Sequence, residues 1–201
     1  MTTMNNNKDW RGDTHSVMVS LGASCHAQNE RAARDYYATE PKAAKLLLEV
    51  EKFDHHIWEC ACGEKHLAAV FEEAGHSVRC SDIGNRCENE VMDFLQCNEP
   101  WHGDIITNPP YKYATEFVKK ALSLVGEGSK IAMFLRIQFL EGKRRKRLFE
   151  KNPPHCVYVS SSRLKCAING DFENIAGSAA CYAWFVWQKG FSGDTIIKWI
   201  N

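Results

Sequence analysis

Short apolar runs and helical repeats alternate along this chain. A run of four to eight apolar residues reads as a buried strand, and apolar positions three to four apart read as one face of a helix. In residues 42–50, Ala43, Leu46, Leu47 and Val50 share such a face, and Pro41 behind Thr39 or Glu40 marks the helix start. His56–Glu59 reads as a strand, 60–63 as a tight turn of small residues, and 65–74 as a second helix with Leu67, Ala68, Val70 and Phe71 inward. Gly75 is its stop. Ser77–Asp82 is the next strand, and the stretch 91–95 holds a short third strand ending in Asp93, with little room for a helix before it. Asp104–Thr107 is a buried strand, 114–125 a helix, 130–135 a strand, and 143–147 the start of a basic helix that ends before Pro153 and Pro154. Cys156–Ser160 and 179–188 close the pattern as strands, the last rich in aromatics; Trp184, Phe185 and Trp187 in it read as strand core and sheet edge rather than as a base platform. Residues 1–34 sustain no period and read as an arm or surface loop. Asn169, Gly170, Asp171 and Phe172 lie in a polar loop. No internal repeat appears, so 35–201 reads as one α/β domain.

Two features turn this pattern toward chemistry. The strand ending at Glu59, its turn of Cys60, Ala61, Cys62 and Gly63, the helix, and the strand ending at Asp82 form a βαβ unit. A small-residue turn lets a ligand approach the backbone, and a carboxylate about 20 residues on is placed for a ribose diol. The second feature is Asn108-Pro109-Pro110-Tyr111, directly after a buried strand. Two prolines stop the strand, since each fixes φ and neither donates an N–H. The outcome is a rigid loop at the carboxyl end of a strand, where open α/β sheets bind ligands. It offers the Asn108 amide oxygen, the Pro109 carbonyl and the Tyr111 ring, a set suited to a flat ring bearing an amine.

Composition narrows the classes. The 201 residues suit one domain, and 25 basic against 25 acidic side chains leave zero formal charge. That excludes a uniform basic coat but leaves a local patch open. No run approaches the ~18 apolar residues of a membrane span, and the N-terminus has no apolar signal region, so a soluble cytoplasmic protein is expected. Nine cysteines, an odd number scattered over several elements, speak against a disulfide framework. Cys60 and Cys62 with His55, His56 and His66 lack the paired spacing of a structural zinc site, so reduced thiols and no metal are expected.

The order of these parts resembles the small adenine-N6 DNA methyltransferases often found in phages and prophages. Four stretches from about residue 35 onward carry the resemblance. Asp35-Tyr36-Tyr37-Ala38-Thr39-Glu40-Pro41 is similar to the family's N-terminal cofactor motif, and Glu59-Cys60-Ala61-Cys62-Gly63-Glu64 to its glycine loop. Asp82 and Asp93-Phe94 match its acids after the second and third strands, and Asn108 to Tyr111 its catalytic loop. The resemblance implies a Rossmann-like class I methyltransferase fold, a seven-stranded, mostly parallel sheet with one antiparallel strand, residues 179–188, beside the central ones. It implies S-adenosylmethionine as cofactor, duplex DNA as partner, no membrane, and a prokaryotic or phage-encoded cytoplasmic enzyme. By the same resemblance, Glu59 reaches the methionine amine directly or through water, the backbone of Ala61, Cys62 and Gly63 borders the cofactor, and Asp82 takes the ribose hydroxyls. Asp93 and Phe94 attend the adenine, while Tyr37 and Thr39 close over the methionine end. Asn108, Pro109, Pro110 and Tyr111 are the catalytic group, with Tyr111 stacking on an extruded base.

The chain departs from the family in two places. Lys65 stands where the family commonly has a second glycine, and its side chain is expected to crowd the methionine end. No target-recognition insert is evident. Other readings stay open on the residues alone. Glu59, Asp82 and Asp93 singly read as solvated strand-end acids; together, at matching strand ends, they read as cofactor ligands. Lys143, Arg144, Arg145, Lys146 and Arg147 are either a solvated helix face or a phosphate-contacting patch. Phe172 reads first as loop and second as another stacking partner for the base. RNA adenine and protein glutamine methyltransferases share the tetrapeptide, and a non-catalytic homologue that binds cofactor or DNA is the remaining alternative.

Overall fold

The computed structural model describes residues 37–168 and 180–201. The expected N-terminal arm and the loop containing Phe172 lie outside them. In chain order the elements are β1 Tyr37–Thr39, α1 Pro41–Val50, β2 His56–Glu59, α2 His66–Glu73, β3 Ser77–Asp82, β4 Glu90–Val91 and β5 Asp104–Thr107. Then follow α3 Ala114–Leu124, β6 Lys130–Arg136, α4 Lys143–Lys151, β7 Cys156–Ser160, β8 Cys166–Ile168, β9 Tyr182–Gln188 and β10 Ile196–Ile200. The main sheet has the order β10-β7-β9-β6-β5-β2-β3-β4, and β1 pairs with β8 in a separate two-stranded ribbon.

The central strands read as unbroken apolar runs because helices cover both of their faces. Along β6, Ile131, Met133 and Leu135 enter one core with Phe117, Val118 and Ala121 of α3 and Leu148 of α4. Ala132 and Phe134 enter the other, with Ala43 and Leu47 of α1 and Leu67 and Phe71 of α2. The molecule is therefore three-layered, and α1 and α2 share the face opposite α3 and α4. The aromatic strand β9 lies between β6 and β7, antiparallel to both, with Phe185 opposite Met133 and Val157. Trp184, Phe185 and Trp187 are wholly core, and β9 is an interior strand, so none of them stands at a sheet edge. Trp184 also donates its indole N–H to the Ala43 carbonyl at 2.8 Å, tying sheet to α1.

Three expectations change. The sheet has eight strands because β10 adds in parallel to the outer edge of β7; without it the seven expected strands remain. The third strand shrinks to Glu90–Val91, since Asp93 instead caps a 3-10 turn, Phe94–Gln96, by accepting from the Leu95 N–H at 3.0 Å. Val50 ends α1 exposed, and Ala44 takes its place on the buried face.

Two devices bring β5 against β2 and β6. The buried Asp104 carboxylate accepts from the N–H groups of Asp54 and Lys130, both at 2.6 Å. Gly103, at φ +150, passes so close to β2 that a Cβ there would meet the His56 carbonyl at 2.3 Å. Strands β2 to β6 then run parallel, so the chain segments after Glu59, Asp82, Thr107 and Arg136 all emerge at one edge. From β2 the chain passes to β3 on one side and later returns to β5 on the other, which places a topological switch point between β2 and β5. Among the described residues no helix is long and apolar enough to cross a membrane.

Candidate active site

The turn after β2 stands on one side of this switch point. Gly63 takes φ +51 and Lys65 φ +63, so the chain passes twice through left-handed conformations before α2 begins. The turn is bound to β3 by Cys62 N–H to the Ser81 carbonyl at 3.0 Å. Asp82 fastens it further: one carboxylate oxygen accepts from Gly63 N–H and the other from Gly84 N–H, both at 3.0 Å. A carboxylate held this way is fixed in place, yet each oxygen keeps a second lone pair for a hydroxyl donor. Lys65 thus stands at a left-handed position that glycine would occupy without strain. Its amine reaches the Glu88 carbonyl at 3.5 Å, toward the loop after β3.

Glu59 lies beneath the turn rather than in it. It is 2% exposed, and its carboxylate accepts from Ala68 N–H in α2 at 2.9 Å. Burial, aided by Cys80 and Asp82 nearby, pushes its pKa well above the usual carboxylate range. Cys62 is also buried, and the neighbouring Cys80 thiol together with burial pushes its pKa well up. Phe94 differs from expectation. It is 2% exposed, with Trp58 edge-on at 5.2 Å and Phe117 at 5.0 Å, so its ring belongs to the core and not to a ligand. Asp93 itself is exposed beside it. The apolar side chain that does stand open next to Asp82 is Ile83, 77% exposed. Sequence reading passed it over because it lies one residue beyond the strand, where a lone isoleucine carries no periodic signal.

The proline loop, after β5, stands on the other side. Pro109 is buried, and Asn108, Pro110 and Tyr111 are half-buried. Pro110 caps a 3-10 turn, Tyr111–Tyr113, by accepting from Tyr113 N–H at 2.8 Å. The Asn108 amide donates to the Thr39 hydroxyl oxygen at 2.8 Å. Thr39 is 3% exposed, so its hydroxyl is committed to this loop and not to an open cleft. The Tyr111 ring has the Arg136 guanidinium 5.2 Å from its centroid and the Tyr182 ring at 5.9 Å. Its hydroxyl lies 3.5 Å from the Cys166 sulfur, and burial pushes its pKa well up. The Tyr37 side chain and Phe172 lie outside the described residues.

The basic helix α4 splits into two groups. Arg145 turns back: its guanidinium donates to the carbonyls of Gln138 and Glu141 and sits 5.1 Å from the Phe139 ring centroid. It is therefore a structural residue, which corrects its place in a five-residue patch. Lys143, Arg144, Lys146 and Arg147 are exposed, with Lys146 3.5 Å from Glu150. The eight described cysteines are free thiols, and no described group of three or more His, Cys, Asp or Glu is placed to hold a metal ion.

No family model matches the sequence, and no curated protein sequence does. Solved structures match in shape. A Listeria monocytogenes protein named as a class I S-adenosylmethionine-dependent methyltransferase aligns at TM-score 0.57, covering 92% of this chain and 71% of its own, at 13% identity. The fold is that of the class I methyltransferases. A Pyrococcus horikoshii protein named as an RNA methyltransferase aligns at TM-score 0.54 over 88% of this chain and 99% of its own, at 14% identity. The type IIG restriction endonuclease BpuSI aligns at 0.57 over 88% of this chain and 28% of its own, also at 14% identity. At such identities the likeness is one of fold, and the chemistry rests on the residues at the crevice.

Proposed function

We propose that this chain carries the methyl group of S-adenosylmethionine to the N6 amine of adenine in duplex DNA. The observation that carries the reading is the position of Asn108-Pro109-Pro110-Tyr111 at the carboxyl end of β5, across the switch point from the turn that Asp82 fastens. The crevice suits the cofactor at its ribose end, where Asp82 is immobile and has acceptor capacity left. Ile83 takes the apolar place beside the adenine that Phe94, turned into the core, does not fill. The backbone of Ala61, Cys62 and Gly63 borders the methionine end, and exposed Asp93 accepts from the adenine amino group. Glu59, buried and bonded to α2, holds the turn from below.

When bound, S-adenosylmethionine supplies an electrophilic methyl group on a sulfonium. The protein's task lies with the acceptor. An aromatic N6 amine is a poor nucleophile because its lone pair is delocalised into the ring. The Asn108 amide oxygen and the Pro109 carbonyl accept its two hydrogens, which favours a tetrahedral nitrogen and localises the lone pair. These acceptors are preorganised and gain strength as positive charge develops on nitrogen. Orientation of the amine for in-line attack supplies much of the remaining acceleration, and the methylated, positively charged nitrogen then releases one of its two protons to solvent. The base leaves the duplex to reach the loop. Stacking on Tyr111 offsets part of that cost, at about 1–3 kcal/mol per base. In this structure the Arg136 guanidinium lies over that ring, so base entry displaces it. Exposed Lys143, Arg144, Lys146 and Arg147 supply phosphate contacts.

The solved relatives include one named for RNA and one DNA restriction enzyme, so the acceptor is decided by experiment. Tritiated cofactor is offered with duplex DNA, RNA and a glutamine-containing protein. The reading expects label in DNA, as N6-methyladenine. Label only in RNA or protein moves the enzyme to the adenine-RNA or glutamine class. Cofactor binding with no label in any acceptor makes the chain a non-catalytic homologue.

A further inference from the structure

The Tyr111 ring is held from within and covered from outside. It packs against both core clusters. Tyr182 lies 5.9 Å away, its plane tilted by 31°, and is itself stacked on Phe134 at 5.2 Å. The Cys166 sulfur lies 3.5 Å from the Tyr111 hydroxyl. Tyr182 and Cys166 are both buried. The Arg136 guanidinium, 5.2 Å from the ring centroid, belongs instead to an exposed residue. Only its backbone is fixed: Arg136 ends β6 opposite Tyr182, and the N–H of Ile137, next in the chain, donates to the Cys181 carbonyl at 2.9 Å. Among the described residues no carboxylate forms an ion pair with Arg136. Of the ring's neighbours Tyr182, Cys166 and Arg136, the arginine is the one that can leave.

We infer that Arg136 binds a phosphate of the extruded nucleotide, and that in the free protein its guanidinium stands in for the base on Tyr111. The residue type suits both tasks. A guanidinium is flat and cationic, so it lies over an aromatic face, and it presents a rigid donor fork that matches phosphate. An exposed cation–π contact is weaker than base stacking on the same ring, so the base takes the ring. The phosphate arrives with it, since it is carried on the sugar of the same nucleotide, and charge-assisted hydrogen bonds to it replace the contact that the arginine gives up. Arg136 also leads directly into the 3-10 turn Ile137–Leu140 and then α4, so it continues the exposed charge of that helix toward the proline loop. This inference rests on Tyr111 being the stacking ring of the proposed reaction. It adds a phosphate contact outside the basic run 143–147.

The test is an NMR titration of the whole protein with adenosine and with adenosine 5′-monophosphate. S-adenosylhomocysteine is present in excess, so that neither probe enters the cofactor site. The probes share the base and differ by the phosphate. Wild type is expected to prefer the monophosphate by about tenfold, the scale of a hydrogen bond to a charged group. In Arg136→Ala the preference should fall to within about twofold, while adenosine binds about two- to fivefold more tightly because the ring is uncovered. Arg136→Lys keeps the charge and should retain part of the preference. On duplex DNA, Arg136→Ala should flatten the log–log salt slope by about 1. A purely structural arginine would weaken both probes alike in Arg136→Ala, and that result overturns the inference. So does an unchanged preference or salt slope in Arg136→Ala, or a wild type that does not distinguish the probes. If Arg136→Ala does not fold, Arg136→Gln makes the same comparison. The titrations need no turnover, so the two readings fail separately. Label absent from every acceptor refutes the proposed transfer, and a lost preference in Arg136→Ala still supports the phosphate contact. N6-methyladenine made by a wild type that does not distinguish the probes keeps the transfer and overturns the role of Arg136.

Discussion

Lys65 occupies a left-handed conformation at φ 63 and ψ 25. For a residue with a Cβ this costs about 1–2 kcal/mol. Glycine removes that strain but enlarges the unfolded ensemble by up to about 1 kcal/mol. The exposed 3.5 Å contact with Glu88 adds little, so Lys65→Gly should raise stability by up to about 1 kcal/mol, read as a higher urea midpoint. A clear fall would show that the lysine side chain holds the loop after β3. Glu59 makes a pH prediction. Its folded pKa is raised, chiefly by burial, so the folded chain binds this proton more tightly than the unfolded one. Its contribution to stability is therefore full below about pH 4.3, the unperturbed glutamate value, and declines as pH rises toward the folded value. Glu59→Gln keeps an acceptor for Ala68 N–H and has no proton to lose. Its stability relative to wild type should rise between pH 4 and pH 8; a constant difference would contradict the buried, protonated state. At the cofactor crevice, Asp82→Ala removes the acceptor shared by Gly63 and Gly84. With hydrogen bonds to charged groups contributing about 1.5–3 kcal/mol, calorimetry should show S-adenosylhomocysteine binding at least tenfold weaker in a folded protein. Ile83→Ala should weaken it less. Unchanged affinity in Asp82→Ala would remove the ribose assignment.

The helix α4 separates charge that binds from charge that builds. Arg144 and Arg147 face solvent, whereas Arg145 closes the 3-10 turn Ile137–Leu140 onto the helix start. In DNA titrations across salt, Arg144→Ala and Arg147→Ala should each flatten the log–log slope by about 1. Arg145→Ala should leave the slope unchanged and lower thermal stability. Equal slopes in all three variants would mean that α4 does not meet phosphate. This division was hidden in the sequence, where five consecutive basic residues look alike. Elements with their own signal were legible: His56–Glu59, Ser77–Asp82 and Cys156–Ser160 have the bounds their apolar patterns imply. Elements set by a distant partner were not. The three-residue strands β1 and β8 exist because they pair across more than a hundred residues. β10 is five residues with no clean alternation, Ile-Ile-Lys-Trp-Ile, recruited to the free edge of β7. Around Asp93 a local preference won over strand formation, since an aspartate that accepts from a nearby N–H favours a cap.

For the whole molecule, strand order follows from which runs alternate with helices, and it puts the strand-end acids and the proline loop on one edge. That much the spacing of motifs could convey. The contents of the crevice needed three dimensions: Asn108 and Thr39 are 69 residues apart, and no local pattern announces their bond. Likewise Phe94 looks like a ligand-facing aromatic until Trp58 and Phe117 are seen around it. The class I fold serves many acceptors, so the assignment to adenine turns on a single loop. The most direct measurement is the yield of methylated bases from duplex DNA with wild type and Asn108→Ala, separating N6-methyladenine from 5-methylcytosine and N4-methylcytosine. The account predicts N6-methyladenine from wild type, and about 10²–10³-fold less from Asn108→Ala, with S-adenosylhomocysteine still bound. Near-normal turnover by Asn108→Ala, or a methylated cytosine as the wild-type product, would contradict it.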